Sequence, residues 1–307
     1  MGGKKSLIRE AERKLATAHS RSFASLWRAA AVLTGVAATV AFQSAPPATS
    51  ANQPAAVPKA NSQTASLSSA TRVLPPAPAY SYPDRQTFTY GVDWRLVNAG
   101  TITVHLDNVN GERHISATAD STGTVALLYH VHDQLETFFN PQTNCSLSLK
   151  KHTEEGFRRL DSDVHYDYQR KKAVLDERNL KAKNQKHEEV DIPACVTNTL
   201  AAAYYVASQP MPIGAKFSFP SSDGGKAADI EVTVEAREQV KTTAGSYNTV
   251  RLSAEALNGP QKGKGKIWVW YTDDNRRIPV QMRARAFWGT LVFHLVQIGS
   301  PAGGKSD

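Results

Sequence analysis

Two histidines spaced two residues apart are the best metal-binding candidate in the sequence. His130 and His132 lie in a run typical of a β-strand, so both imidazoles would point to one face of a sheet. Zinc sites use such pairs but need at least a third ligand. His165 and His294 could approach only through the tertiary fold. We therefore predict no metal and no cofactor, with His130 and His132 as the positions to inspect.

Three pairs of acidic residues could each be proposed as the general acid and base of a glycosidase. The neighbours Glu154-Glu155 would point to opposite faces of a strand. Asp273-Asp274 lies where a hairpin requires turn-forming residues. Asp161 and Asp163 would share a face, but the surrounding stretch is rich in Arg and Lys, which favours surface ion pairs. These pairs are therefore better explained by structure than by hydrolysis.

Nucleophile and phosphate-binding motifs are also lacking. The sequence contains no G-x-S-x-G. Residues 259–266, GPQKGKGK, lack the spacing, the Ser or Thr and the following helix of a phosphate-binding loop, and we interpret them as a basic hairpin loop. With no set of acid, base and orienting residue, we favour a non-catalytic protein over a hydrolase.

The elements that would position these residues are mostly strands. Residues 263–298 predict three of them, at 266–272, 277–287 and 290–298, because β-branched and aromatic residues run between turn signals. Within the first strand, Ile267 to Tyr271 carry apolar residues on both faces. Each face of this strand should therefore contact protein or ligand rather than water.

The rest of the folded region predicts about a dozen short strands and one helix. Residues 88–96 alternate apolar with polar residues, as an antiparallel strand does. One internal helix is expected at about 196–208, capped by Thr197 or Asn198 and ended by Pro210. The predicted fold is mainly β, an antiparallel β-sandwich or partly closed β-barrel, preceded by an N-terminal apolar helix and a disordered linker.

The N-terminal region predicts export. Residues 1–28 contain seven Lys or Arg and two Glu, so they hold +5 of the formal net charge of +8, which argues against a nucleic-acid-binding face on the folded domain. The apolar run that follows is either a signal peptide cut near Ala41 or Ala45, or an uncleaved inner-membrane anchor over 23–42. Both alternatives place the folded region in the periplasm or cell envelope.

Composition divides the chain into five segments. Half of the 16 prolines lie in the Pro-, Ala- and Ser-rich stretch before the first strand, which cannot bury enough apolar surface to fold. The predicted segments are a basic end (1–28), a signal peptide or anchor helix (29–42), a disordered linker (43–83), a β-rich domain (84–298) and a flexible tail (299–307).

The two cysteines predict a disulfide. Cys145 and Cys195 are far apart in sequence, and an exported chain with two cysteines favours a bond between them. The bond would connect a turn region to the approach to the predicted helix.

Several motifs together resemble a known bacterial family. They are the segments Ala99-Gly100-Thr101, Ala203-Tyr204-Tyr205, Pro212-Ile213-Gly214, Ala244-Gly245-Ser246-Tyr247, and Ile267-Trp268-Val269-Trp270-Tyr271-Thr272-Asp273-Asp274 followed by Arg277-Ile278-Pro279-Val280. The chain from about 87 to 296 is similar to the family called domain of unknown function 3108. The resemblance implies an exported or envelope location and a β-rich domain, but no reaction, ligand or catalytic residue.

Two functional hypotheses follow, from different classes. In the first, a curved sheet closed by the helix holds an apolar or lipid-like molecule. In the second, the domain is an envelope interaction module that contacts a wall polymer or a partner protein. The aromatic and apolar residues that would line the ligand site in the first hypothesis are Trp94, Tyr204, Trp268, Trp270 and Phe293.

Overall fold

The computed structural model describes residues 71–95, 97–286 and 289–299. The predicted apolar N-terminal helix, most of the predicted linker and the C-terminal tail after 299 lie outside these residues. Within the described ranges, no helix is both long and apolar enough to span a bilayer.

Fourteen strands and two helices make up the described chain. The strands are β1 Gln86–Trp94, β2 Val97–Val109, β3 Glu112–Ser121, β4 Val131–Phe139, β5 Ser146–Glu155, β6 Arg158–Asp167, β7 Lys172–Asn179, β8 Asn184–Asp191, β9 Lys216–Ser221, β10 Ala228–Thr242, β11 Gly245–Ala256, β12 Gly265–Thr272, β13 Pro279–Ala286 and β14 Gly289–Gly299, and the helices are α1 Gly123–Leu128 and α2 Thr199–Ala207.

All the strands belong to one antiparallel sheet. The order is β8-β7-β6-β5-β4-β3-β2-β1-β14-β13-β12-β11-β10-β9, so two meanders meet where the first strand pairs with the last. The sheet is not closed, because β8 and β9 have no strand pairing between them. The prediction of a mainly antiparallel β fold with barrel character is confirmed.

The helix α2 lies inside the curved sheet. The Asn198 side chain accepts a hydrogen bond from the Ala201 amide and caps the helix, as its sequence position predicted. Ala201 and Tyr204 pack in the main core with residues of β1, β2, β3, β4, β10, β12, β13 and β14. The helix therefore packs against the concave face of the sheet.

The sequence also predicts a strand over 125–131, but the structure forms the helix α1 in this region. Gly123 has φ +56°, which turns the chain out of the sheet, and Ala and Leu then favour a helical turn. Val125 is buried while the Tyr129 amide donates to the Val125 carbonyl, 2.8 Å away. The prediction of one internal helix is corrected to two. The physical reason is that a six-residue apolar run carries no reliable period.

Residues 71–83, which the sequence placed in the linker, contact the fold. The Arg72 amide donates to the Ser218 carbonyl of β9 at 3.3 Å, and the Ala77 amide donates to the Ser208 carbonyl at 2.8 Å. The Tyr82 hydroxyl donates to the Asn144 side chain. Tyr82 is buried in the main core, so this segment packs against the domain and its end enters the core.

Both faces of the aromatic strand β12 are covered by protein, as predicted. Tyr271 is buried and donates to the Ala203 carbonyl of α2 at 2.8 Å. Its neighbour Trp270 is also buried, and its indole nitrogen donates to Glu238 of β10. Two-sided apolarity in this strand thus reflects two packed layers.

Candidate functional site

The aromatic residues proposed for an apolar ligand fall into two packed groups. Trp270 and Tyr204 are buried in the main core, with Trp268 packed against it. Phe293 is buried in a separate group, with Trp94 packed against that. The structure therefore does not bring the five residues to one place. Their roles as ligand contacts stay a prediction.

Tyrosine hydroxyls near α2 donate to backbone carbonyls. The Tyr90 hydroxyl donates to the Pro279 carbonyl at 2.9 Å, and Tyr271 donates to α2 as described. Burial raises the pKa of Tyr90, Tyr204 and Tyr271. All three stay neutral at physiological pH, so they are core residues rather than bases.

A buried ion pair lies at the N-terminus of α2. Lys151 Nζ lies 3.5 Å from Asp223 Oδ2, with side-chain exposures of 10% and 3%. Asp223 also accepts from the Thr199 amide at 2.9 Å and from the Thr199 hydroxyl at 3.1 Å. A carboxylate beside the first turn of a helix is favoured by the helix dipole. This ion pair fixes α2 to β5. Its two charges are already paired with each other, so it is a structural contact rather than a catalytic one.

The recess on the molecule is an open trough of about 810 Å³ across β3 to β8. Residues directly opposite each other on neighbouring strands share a face. Two such rows, separated by one residue along every strand, form the trough walls. One row is Ser116, Glu136, Lys150, Asp163, Asp176 and His187, and the other is Thr118, Gln134, His152, Asp161, Arg178 and Gln185.

The trough faces away from the core. The intervening row contains Ala117, Leu135 and Lys151; Ala117 is part of the main core, Leu135 packs against it, and Lys151 reaches Asp223 inside. Because side chains alternate along a strand, both wall rows point outward. Most of the wall side chains are exposed, as Lys150 and Gln185 are. The trough is therefore an outer, water-filled surface feature.

One wall of the trough carries a chain of ion pairs. His152 Nδ1 lies 2.6 Å from Asp161 Oδ1, and the Arg178 guanidinium donates to Asp161 Oδ2 at 2.7 Å. The hydrogen bond from Arg178, followed by that from His152, lowers the pKa of Asp161. The hydrogen bond to Asp161 raises the pKa of His152. Asp161 is therefore a persistent carboxylate, which suits charge recognition and not general acid catalysis.

A second pair lies near the free edge of the sheet. His187 Nδ1 lies 2.7 Å from Asp176 Oδ1, and this hydrogen bond raises the pKa of His187. Both side chains are exposed. The ion pairs of Asp161 confirm the surface pairing expected from the Arg- and Lys-rich sequence around it.

The histidines singled out for metal binding have other partners. His132 Nδ1 lies 2.6 Å from Asp120 Oδ1, and His130 Nε2 lies 3.9 Å from Glu154 Oε2. His130 precedes β4 rather than lying in it. Among the residues that the structure covers, no group of three His, Cys, Asp or Glu is arranged to hold a metal ion.

The predicted disulfide is confirmed. Cys145 and Cys195 are bonded, with their Cα atoms 5.2 Å apart. Beside the bond, the Ser146 amide donates to the Val196 carbonyl at 2.9 Å. The bond thus ties the start of β5 to the segment that leads into α2.

The trough could not be found from the sequence. Its walls combine residues from six strands whose register depends on pairing, and the sequence reasoning placed only Asp161 and Asp163 on a common face. A sequence signal exists in β3, where Ile115, Ala117 and Ala119 alternate with polar residues, and more weakly in β6. That signal indicates a polar outer face but not its partners across the sheet.

The fold defines a class of open, barrel-like β proteins. The chain resembles a crystal structure of a β-barrel-like protein of domain of unknown function DUF1849 from Brucella abortus, with a TM-score of 0.51 and 9% identity over 76% of this chain and 100% of the other. A candidate exported protein with a YmcC-like fold from Bacteroides fragilis aligns at a TM-score of 0.33 and 9% identity, over 72% and 98% of the two chains.

The sequence itself matches a protein family. The family described as protein of unknown function (DUF3108) matches residues 89–296, so the chain belongs to this family. No curated protein matches the chain. This match confirms the family resemblance indicated by the tryptophan-containing strand β12 and the turn that follows it.

Proposed function

We propose that this chain is a non-catalytic protein of the cell envelope that binds an extended segment of a partner protein in the outer trough. The observation that carries the proposal is the trough itself, which crosses six strands and is walled by hydrogen-bonding side chains. Five strand spacings span about 24 Å, the length of roughly seven extended residues. The envelope location rests on the basic N-terminus, the apolar run 29–42 and the disulfide.

The charges in the trough favour a basic, polar segment. In the two outward rows, four carboxylates, Glu136, Asp161, Asp163 and Asp176, stand against the two permanent cations Lys150 and Arg178. The other charged lining residues, Glu177, Lys151 and Lys186, belong to the row between them. No described residue that lines the trough is aromatic, although stacking on rings is the common way for proteins to hold sugar units. These features support a protein partner over a wall polymer, with charge complementarity setting the choice.

An apolar ligand inside the sheet is the less favoured hypothesis. Helix α2 and the side chain of Tyr82 occupy the concave side where such a molecule would lie. Hydrolysis is not proposed, since Asp161 is held ionised by Arg178.

Site-specific photocrosslinking in growing cells tests the proposal. A photoreactive residue at Gln134, on the trough wall, should form a discrete adduct with one other protein, and the same residue at Gln142, in the β4–β5 turn, should not. Asp163→Lys should reduce the adduct at least tenfold because it places a cation against a basic segment. Equal labelling from both positions, or an adduct unaffected by Asp163→Lys, would contradict the proposal.

A further inference from the structure

The ends of the odd-numbered strands form one surface of the molecule. In an antiparallel meander every odd strand runs in the same direction, and β14 joins β1 without breaking this alternation. The connections from each odd strand to the next even one therefore follow each other along one end of the sheet. Neighbouring connections are about 10 Å apart, because two strand spacings separate them. We call this surface, made by residue 95 and residues 122–130, 156–157, 180–183, 226–227 and 257–264, the lower end. The first residues of the β9–β10 connection, 222–224, are buried inside the sheet.

Apolar side chains are concentrated at the lower end. The described chain exposes nine large apolar side chains, and six of them lie at or beside the lower end. They are Val97, which follows the first turn, Leu127, Leu128, Phe157, Leu180 and Leu257. Three of these are the most exposed of all, with 88% for Leu127, 79% for Phe157 and 63% for Leu128. Exposed apolar tips on this many neighbouring turns indicate a contact surface.

The same connections are basic. They contain Arg95, Lys181, Lys183, Lys226, Lys262 and Lys264, and one acid, Asp223, which is buried against Lys151. Within the described chain, no carboxylate forms an ion pair with any of these five lysines. At the opposite end, by contrast, the turn after β12 has two Asp and two Arg. The lower end therefore carries five lysines on neighbouring connections without a carboxylate partner among the described residues.

The apolar tips are held in place by packing. Val125 is buried and anchors α1, so Leu127 and Leu128 project from a fixed base. Tyr129 is buried against Gly156 of the next turn, where φ is +53° and an added Cβ would lie 2.6 Å from the Tyr129 ring. The two turns therefore form one rigid unit. Binding through such a unit loses little conformational entropy.

We propose that the lower end docks on the surface of an anionic lipid bilayer, with Leu127, Leu128 and Phe157 inserted among the headgroups and the lysines contacting anionic lipid. Leu and Phe with surrounding Lys are the residues that interfacial membrane contacts use. Long lysine side chains reach the headgroups while their alkyl chains follow the apolar tips. Lys181 already lies over the Phe157 ring, 5.0 Å from its centroid. This contact is separate from the N-terminal apolar segment and from the trough.

Depth-dependent fluorescence on the full-length chain tests this proposal. An NBD label on Leu127→Cys should be quenched by nitroxide-bearing lipid in vesicles of phosphatidylcholine and phosphatidylglycerol. In phosphatidylcholine alone, or in 1 M salt, quenching should fall strongly, since the charge attraction is weakened. A label on Gln142→Cys, at the opposite end, should not be quenched. Because both labelled proteins share the same N-terminal segment, the difference between them reports the docked end.

Charge variants provide the matched comparison. Lys262→Gln with Lys264→Gln should lower the ratio of inserted to free label by about 25-fold, at about fivefold per lysine. Lys171→Gln with Lys241→Gln, at exposed positions outside the lower end, should leave the ratio unchanged. An unquenched Leu127 label in anionic vesicles would overturn the proposal, as would equal effects of the two pairs. A spectral shift that grows with protein concentration without vesicles would assign the surface to a second copy instead, and would also overturn it.

Discussion

Breaking the buried ion pair at the start of α2 should strongly destabilise the fold. Asp223→Ala leaves Lys151 charged and almost fully buried, which costs about 3–5 kcal/mol. It also removes the hydrogen bond to the Thr199 amide, at about 1 kcal/mol. The total loss of unfolding free energy should be about 4–6 kcal/mol, a large share of a typical domain's stability.

A double-mutant cycle separates the ion pair from the helix contact. Lys151→Met alone should cost about 3 kcal/mol, because Asp223 keeps its two hydrogen bonds from Thr199. The double variant should be less destabilised than the sum of the single ones by about 2–3 kcal/mol. The matched control is Lys150→Met, the exposed neighbour on the outer face, which should change stability by less than about 0.5 kcal/mol.

Urea unfolding followed by circular dichroism measures these differences. The midpoint should shift with the slope unchanged, which marks a change in stability rather than in the unfolded state. Additive single effects would refute the coupling between the two charges. A loss for Lys150→Met equal to that for Lys151→Met would refute the assignment of opposite faces on β5.

Three further outcomes are expected. Replacing both Cys145 and Cys195 by Ser should lower the unfolding free energy by about 4 kcal/mol, because the disulfide closes a loop with a sequence separation of 50 residues. Urea midpoints measured under oxidising conditions test this, and an unchanged midpoint would contradict it. The pKa of His152 is raised in the folded state, so its stabilising contribution is present below the unfolded value of about 6.5 and is lost as pH rises through the folded pKa; Asp161→Asn should lower the NMR-measured pKa of His152 and weaken this dependence, and an unmoved titration would refute it. Tyr271→Phe should cost about 1 kcal/mol in thermal or urea unfolding, since it removes the buried hydrogen bond from the Tyr271 hydroxyl to the Ala203 carbonyl, and a neutral result would show that this bond adds no net stability.

The strands with clear alternation were predictable because burial acts on one face. β1 follows this pattern, and the cap of α2 at Asn198 is a local signal that needs no tertiary information. β8 was missed because its sequence, NQKHEEVD, is polar on both faces, as a free edge strand can be. β9 was missed because Pro220 reads as a strand breaker, although an edge tolerates it.

Sandwich and barrel could not be distinguished from the sequence because the deciding contact is remote. The pairing of β1 with β14 joins residues 197 to 212 positions apart, and no local pattern encodes it. The trough depends on the same long-range register. The sequence did contain a signal that the end of the linker packs on the domain, because Tyr80 and Tyr82 are aromatic residues within a Pro-rich stretch.

The seam between the first and last strands constrains the order of folding. β1 is synthesised early, but its partner β14 emerges only when nearly the whole chain has been made. The eight-strand meander can form earlier through local hairpins, whereas the seam must wait and then close over a very large loop, which makes it slow. A chain cut short before residue 289 would keep two long strand edges open to other molecules, so incomplete translation products of this protein should be especially prone to aggregation.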